Sequence, residues 1–228
     1  MNNIITDDFF DKDPQELAIS LLGKVLRRKV LVQGEPQWLA ARIVETEAYY
    51  QTEKASHSSL GYTEQRKAMF MDAGTIYMYY ARGSDSLNFS AKGEGNAVLI
   101  KSAYPYIDAI SPIAQIEIMR RFNPGTKGPR DPEKLCNGQT LLCRSLNLKV
   151  PDWNQQTLDK SRFYLADVDY QVDQYIQCPR LGIPAGRDEH LLYRFIDHAC
   201  AHQATSNPLT KRKWLEGEDF LIKTEDPR

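Results

Sequence analysis

A chain of 228 residues has room for one substantial hydrophobic core, and no Ser/Gly/Pro-rich linker divides it. A formal net charge of -1 and a pI near 6.4 exclude a general electrostatic attraction to nucleic acid, so any polyanion site must be a local patch. No segment reaches the roughly 18 apolar residues of a membrane span or shows the basic-then-apolar layout of a signal peptide, and Cys136, Cys143, Cys178 and Cys200 form no CxxC pair, which reads as reduced thiols in a cytosolic protein.

Asp13-Pro14 followed by Gln15 to Leu22 predicts a helix with Asp13 as N-cap, Pro14 in the first turn and Gly23 at the stop. Lys24 to Val32 alternates basic and aliphatic residues and predicts a strand, turned at Gln33 to Pro36 and returning through Trp38 as a hairpin. Its cations, Lys24, Arg27, Arg28 and Lys29, read as a solvated face. The returning strand ends in Ala41-Arg42-Ile43-Val44-Glu45-Thr46-Glu47-Ala48-Tyr49-Tyr50, the stretch around which the chain is arranged. Alternation puts Glu45, Glu47 and Tyr49 on one face and Val44, Thr46 and Ala48 on the other. Two readings stand side by side: a sheet face turned to water, or a carboxylate held at a pocket floor as general base with tyrosine rings beside it.

A polar loop, Gln51 to Thr63, carries His57 close enough to face Tyr49. Met69-Phe70-Met71 forms an apolar plug before the turn at Asp72-Ala73-Gly74, and Thr75 to Tyr80 predicts a strand with Tyr77 and Tyr79 on one face. A tight tip at Ala81 to Asp85, a return through Ser86 to Ser90, a turn at Lys92 to Asn96 and a central apolar strand at Ala97 to Lys101 complete a curved antiparallel meander. Ser111-Pro112 starts a helix to about Phe122. Asn123 to Asp131 is a loop in which Lys127 and Arg130 are candidates for phosphate contact, and a second helix puts Cys136 and Leu142 inward. Arg162 to Leu165 and Arg194 to Ile196 read as short strands and Cys178 to Ile183 as an extended segment. Lys211-Arg212-Lys213-Trp214 is a small basic cluster, read as a solvated end. The expected fold is α+β, one domain over residues 1–228, with a curved, open-barrel-like antiparallel sheet flanked by helices.

His198 and His202 lie four apart, a spacing that could present two imidazoles on one helical face, but the HExxH pattern is absent and no metal site is expected. GxSxG, P-loop and GxGxxG patterns are absent too, which removes the usual warrants for nucleophilic hydrolases and nucleotide-dependent enzymes. What remains is Glu47, Tyr49, Tyr79, His57, Asn88 and Lys101, a set suited to gripping an unstacked nucleobase, reading its edge and activating one water. Composition alone does not decide this.

Taken together, these residues resemble the alkyladenine type of 3-methyladenine DNA glycosylase. The likeness runs from Phe9-Phe10 and Leu21-Leu22-Gly23-Lys24-Val25-Leu26 through Arg42 to Tyr49, Ala55-Ser56-His57-Ser58, Met69-Phe70, Gly74 to Tyr79, Leu87-Asn88 and Gly93 to Ile100. It resumes at Leu135-Cys136-Asn137-Gly138, Pro179 to Ile183 and Arg194-Phe195, so about 198–228 reads as a C-terminal extension beyond it.

The resemblance implies an enzyme that flips damaged purines (3-methyladenine, 7-methylguanine, hypoxanthine) out of double-stranded DNA and cleaves the N-glycosidic bond with water. Its hairpin would project toward DNA. Glu47 would activate the water, with Lys101 beside it and the Leu181 backbone carbonyl sharing it. Tyr49, His57 and Tyr79 would line the base pocket, and Asn88 at its floor would discriminate against normal guanine. It implies no metal and no organic cofactor, no membrane partner, a monomer, and a cytoplasmic, nucleoid-associated or nuclear location. Two departures stand out. Lys101 replaces the usual arginine, and the hairpin tip is one residue shorter and lacks its aromatic wedge, leaving Arg82 or Tyr80 to fill the stack. The alternatives are a non-catalytic damaged-DNA-binding protein of the same fold and a nucleoside hydrolase.

Overall fold

The apolar alternations fold as strands. In the computed structural model, which describes residues 3–211 and 213–224, they build one antiparallel sheet. Strands β1 (Asn3–Ile4), β2 (Val25–Val32), β3 (Glu35–Tyr49), β4 (Ile76–Ala81), β5 (Ser84–Ser90), β6 (Ala97–Pro105) and β7 (Phe163–Asp167) lie in the order β1-β7-β2-β3-β6-β5-β4. Three more branch from it: β8 (Gln174–Cys178) pairs with β9 (Arg194–Asp197) and β10 (Leu221–Thr224), and β9 pairs with β3. Among the described residues, four α-helices, α1 (Pro14–Leu21), α2 (Gln115–Phe122), α3 (Gln139–Ser145) and α4 (Val150–Trp153), flank this sheet, which does not close into a barrel. The result is a single α+β domain.

Strand β3 is the hub. Along one edge it pairs with β6 from Ala41 to Tyr49; along the other it pairs first with β2, up to Arg42, and then with β9 at Glu45 to Glu47. The register against β6 shifts between Ile43 and Thr46, an irregularity of the kind that bends a strand and re-aims its side chains. Thr46 donates its hydroxyl to the Ala18 carbonyl of α1 at 2.8 Å, and Ala48 packs in the core with Leu17 and Ala18. That face is therefore apolar core, and Glu45, Glu47 and Tyr49 look the other way. The core beneath centres on Phe10, Leu17, Leu39, Ile43, Phe89, Ile100, Trp153, Phe163 and Phe195, and a smaller one gathers Ile176, Cys178, Ile196, Ala201, Ala204 and Phe220.

Several expectations need correction. Of the two readings open for the end of β3, the face turned to water falls, since Glu45 and Glu47 are both completely buried. The cations of β2 are no solvated face either, since Arg27 is fully buried, its guanidinium 2.5 Å from Asp108 and 3.2 Å from Ser111. A charge can leave water only with such partners, and local sequence does not announce a partner 81 residues on. The helix expected from Ser111 begins only at Gln115, after successive turns closed by Pro112 and Ile113 carbonyls. The helix expected around Cys136 is split into a 3-10 turn at Pro132–Lys134 and α3, with buried Leu135 and Cys136 between them. Of the extended segment expected over Cys178 to Ile183, only Cys178 lies in a strand, the end of β8, and the chain turns at Leu181-Gly182. Arg130 spends its guanidinium on the Asn123 and Pro124 carbonyls of its own loop. In the basic cluster, Lys211 lies 4.6 Å over the Trp214 ring, and Arg212 falls outside the described residues. All four cysteines are unpaired and buried.

Candidate active site

The end of β3 delivers Glu47 and Tyr49 to one side of the sheet, and β6, β4 and β5 bring Lys101, Tyr79 and Asn88 to the same place. The Tyr49 hydroxyl donates to Glu47 Oε2 at 2.7 Å, and the Lys101 ammonium lies 3.2 Å from Oε1. Oε1 accepts no well-aligned hydrogen bond from any described residue. Lys101 is held from its other side by Gln139 Oε1 at 3.1 Å, and the Gln139 amide in turn donates to the Ser86 hydroxyl at 3.2 Å.

These contacts decide charge states. Burial pushes the Glu47 carboxyl up, but the Lys101 ammonium, the Tyr49 hydroxyl and the Arg194 guanidinium together outweigh it, and the carboxyl sits below its ordinary value. Glu47 is therefore a carboxylate at neutral pH. Tyr49 moves the opposite way: burial first, then the adjacent Glu47 charge, hold its hydroxyl well above the ordinary value, so it keeps its proton and remains a donor.

A cavity of about 850 Å³ opens beside this pair. Tyr49, His57, Tyr79, Tyr80, Arg82, Asn88, Lys101 and Leu181 all line it. Glu47 does not; it lies immediately behind, reached through Tyr49 and Lys101. Tyr77 and Tyr79 stack at 5.5 Å with planes 22° apart, and the His57 ring meets Tyr79 edge-on at 4.4 Å. His57 Nδ1 is 3.0 Å from the Tyr77 hydroxyl. Burial, then the charges of Arg66 and Arg187, lower the His57 pKa, so the ring is neutral at pH 7 and retains one donating and one accepting nitrogen. Asn88 is buried, and its amide nitrogen donates to the Tyr77 carbonyl at 3.0 Å.

The β4–β5 tip turns at Arg82-Gly83 with φ of +50° and +77°, both in the left-handed region, and Ala81 pairs with Ser84 across it. Such a two-residue turn favours Asn-Gly, so a long cation at its first position runs against the local preference. The Arg82 guanidinium reaches back toward Gly182, where an added Cβ would lie 3.8 Å from Nη2. Tyr80 is 58% exposed.

Sequence reasoning missed several residues. Glu45 is no solvent carboxylate but an anchor: Oε1 accepts from Arg194 Nε (2.6 Å) and the Thr205 hydroxyl (2.8 Å), and Oε2 from the Thr205 amide (2.9 Å). This clamps residues 203–207, which read as an extension, against the sheet, and Thr205 lines the cavity. Arg180, read only as part of a motif, pairs with Glu53 behind Tyr49. Nothing periodic in the sequence marks Glu53, Gln139 or Thr205, because each acts through a contact distant along the chain. His198 and His202 sit in a 3-10 segment kinked at Cys200, not on an α-helical face, and among the described residues no group of three His, Cys, Asp or Glu is placed to hold a metal.

A family model described as methylpurine-DNA glycosylase matches residues 8–201. The chain belongs to that family. Among curated members, a protein of Pseudomonas savastanoi pv. phaseolicola named "Putative 3-methyladenine DNA glycosylase" is 57% identical over 219 residues, covering 96% of both chains. One of the same name from Pseudomonas aeruginosa is 56% identical over 98% of this chain and 92% of its own length. A more distant relative from Methanocella arvoryzae, also so named, is 34% identical over 85% of this chain and 92% of its own. As a member of the methylpurine-DNA glycosylases, the chain is a DNA repair hydrolase whose substrate is DNA. No helix among the described residues is long and apolar enough to cross a membrane.

Proposed function

We propose that this glycosylase acts as a monomer on double-stranded DNA, flips a 3-methyladenine, 7-methylguanine or hypoxanthine nucleotide into the cavity and hydrolyses its N-glycosidic bond with water activated by Glu47. The observation that carries the reading is the Glu47 carboxylate, ionised though fully buried, with one oxygen taken by Tyr49 and the other beside Lys101. A purine alkylated at N3 or N7 is cationic, and hypoxanthine becomes so by taking a solvent proton at N7. As the C1′–N9 bond breaks, its electron pair neutralises the departing base, and the sugar becomes oxocarbenium-like. The water oxygen bonds to C1′ and its proton passes to Glu47, whose negative charge also favours that transition state. Electron-rich faces of Tyr49 and Tyr79 favour a cationic ring over a neutral base. Leu181, by its carbonyl, shares the water, and Asn88 excludes the 2-amino group of normal guanine.

Base release from a panel of single-lesion duplexes tests this. The expected result is release of alkylated purines from duplex DNA with no turnover of the corresponding free deoxyribonucleosides. Lesion binding without release would leave a damage-binding protein, and nucleoside turnover a nucleoside hydrolase.

The role of Lys101 makes a pH prediction. The base works only as a carboxylate, so the rate is flat above its pKa and falls below it. Lys101 holds that pKa under the ordinary 4.5, whereas burial alone raises it. In Lys101→Met the acid limb of the single-turnover pH–rate profile moves to higher pH. An unmoved limb would mean that Lys101 does not set the charge of Glu47.

Flipping leaves a gap in the base stack, and closing it recovers part of a few kcal/mol of unstacking. Arg82, placed at the tip against the turn's own preference and able to stack on a base face, fills it. Arg82→Ala therefore weakens binding of lesion duplex more than of intact duplex, and Tyr80→Ala weakens it less. Equal losses on both duplexes would reduce Arg82 to a phosphate contact; a larger lesion-specific loss in Tyr80→Ala would make the tyrosine the wedge.

A further inference from the structure

Arg180 is a buried cation that the chemistry above does not use. Its side chain is 1% exposed, its Nη1 donates to the Ala48 carbonyl at 2.8 Å and to Glu53 Oε1 at 2.7 Å, and its Nη2 donates to Glu53 Oε2 at 2.5 Å. Glu53 Oε1 also accepts from the Tyr50 amide at 2.8 Å. The Ala48 carbonyl and the Tyr50 amide are the backbone groups on either side of Tyr49, so one ion pair claims both. The same guanidinium lies 4.5 Å from the centre of the Tyr49 ring and 5.4 Å from that of Tyr193. Tyr49 is thus held at its flanking backbone and on its ring, and its hydroxyl in turn orients Glu47 Oε2. One peptide bond beyond Arg180 stands Leu181, on the cavity wall.

We propose that Arg180, acting with Glu53, is a positioning residue for base release: it sets the Tyr49 ring, and through it the Glu47 carboxylate, at a defined distance from the Leu181 backbone. The inference rests on Glu47 being the base. A buried ion pair is a poor source of stability, because apolar replacements of similar volume are often neutral or better. What a planar, bidentate guanidinium supplies is geometry. Arg180 binds the two sides of the water site to each other, the end of β3 on one and the 181–183 turn on the other, and it does so without touching substrate.

The test separates position from folding. Arg180→Met/Glu53→Gln removes both charges together and keeps an acceptor for the Tyr50 amide. Its thermal unfolding midpoint, its single-turnover release of 3-methyladenine and its Kd for a duplex whose lesion nucleotide carries a cleavage-blocking 2′-fluoro group are measured beside the unaltered chain. The expected result is an unchanged midpoint, a Kd within about threefold, and a release rate lower by ~10- to 100-fold, the scale of a misplacement near 1 Å. Arg180→Lys, which keeps the charge for Glu53 but loses the planar fork, is slowed in the same way and carries the test if the double variant does not fold. Because Arg180 acts through Tyr49, its replacement costs less in a Tyr49→Phe background than alone. Release at the normal rate by folded variants, or losses that multiply independently with Tyr49→Phe, would overturn the proposal. Failure of the unaltered chain to release any base would instead overturn the reading of Glu47 on which it rests.

Discussion

Glu47→Gln leaves a protein that still binds lesion duplex but releases base at least on the order of a hundredfold more slowly. Gln keeps the side-chain shape and a carbonyl oxygen for the Tyr49 hydroxyl, so the fold and the cavity wall persist. What disappears is the negative charge that, in the proposed mechanism, takes the proton from water and opposes the positive charge growing on the sugar. Lys101 then faces a neutral amide, and its own positive charge, no longer offset, works against the same transition state. Single-turnover release and lesion-duplex binding, measured on one preparation, give the split directly. Near-normal release in Glu47→Gln would remove the base from this residue.

Glu45→Gln, two residues earlier on the same face, fails in a different way. The Arg194 guanidinium beside Glu45 is completely buried, and without this carboxylate it loses its hydrogen-bonded counter-charge, leaving only the more distant Glu47. Breaking a buried pair from one side costs about 3–5 kcal/mol, which for a chain of this size lowers the unfolding midpoint by roughly 6–20 °C. The midpoint is the measurement, together with release assayed well below it, where the folded fraction retains most of its activity. A large loss of release with an unmoved midpoint would exchange the roles of the two carboxylates.

This contrast shows what the sequence made legible. Alternation put Glu45, Glu47 and Tyr49 on one face, and that face is as expected. Alternation says nothing of what lies opposite a face, so the burial of both carboxylates and the assignment of Glu45 to the clamp on Thr205 came only with the fold. The hairpins were readable because their signals are local: a glycine marks each two-residue turn, Gln33-Gly34, with Glu35 and Pro36 already in the returning strand, and Arg82-Gly83, although Arg82 itself is not a favoured turn residue. The Asp13 cap was readable for the same reason, and its side chain accepts from the Gln15 amide as expected. Arg27, Arg180 and Arg194 were not, since a buried arginine differs from a solvated one only in partners that lie 81, 127 and 149 residues away. Tyr49, His57, Tyr79, Tyr80, Arg82, Asn88, Lys101 and Leu181, singled out in the sequence, do line the cavity; Tyr77, Gln139 and Thr205, which line it too, were not singled out.

The pairing of β3 with β9 has a consequence for the protein's making. The strand that carries Glu47 takes its second neighbour from Arg194 to Ile196, and the Glu45 clamp closes only on Thr205. During synthesis from the N-terminus, Glu47, Tyr49, Tyr79, Asn88 and Lys101 emerge long before these partners exist. Until then Glu45 and Glu47 lie on an open strand edge, without the surroundings that bury them and that give Glu45 its anchoring contacts and Glu47 its Tyr49 and Lys101 partners. Ring-closing contacts of such sequence separation also form late in folding, since the chain entropy of bringing distant segments together must be met first. A ribosome-bound or prematurely terminated chain therefore holds an incomplete site, and competence for the proposed base release arrives with the last fifth of the polypeptide or not at all.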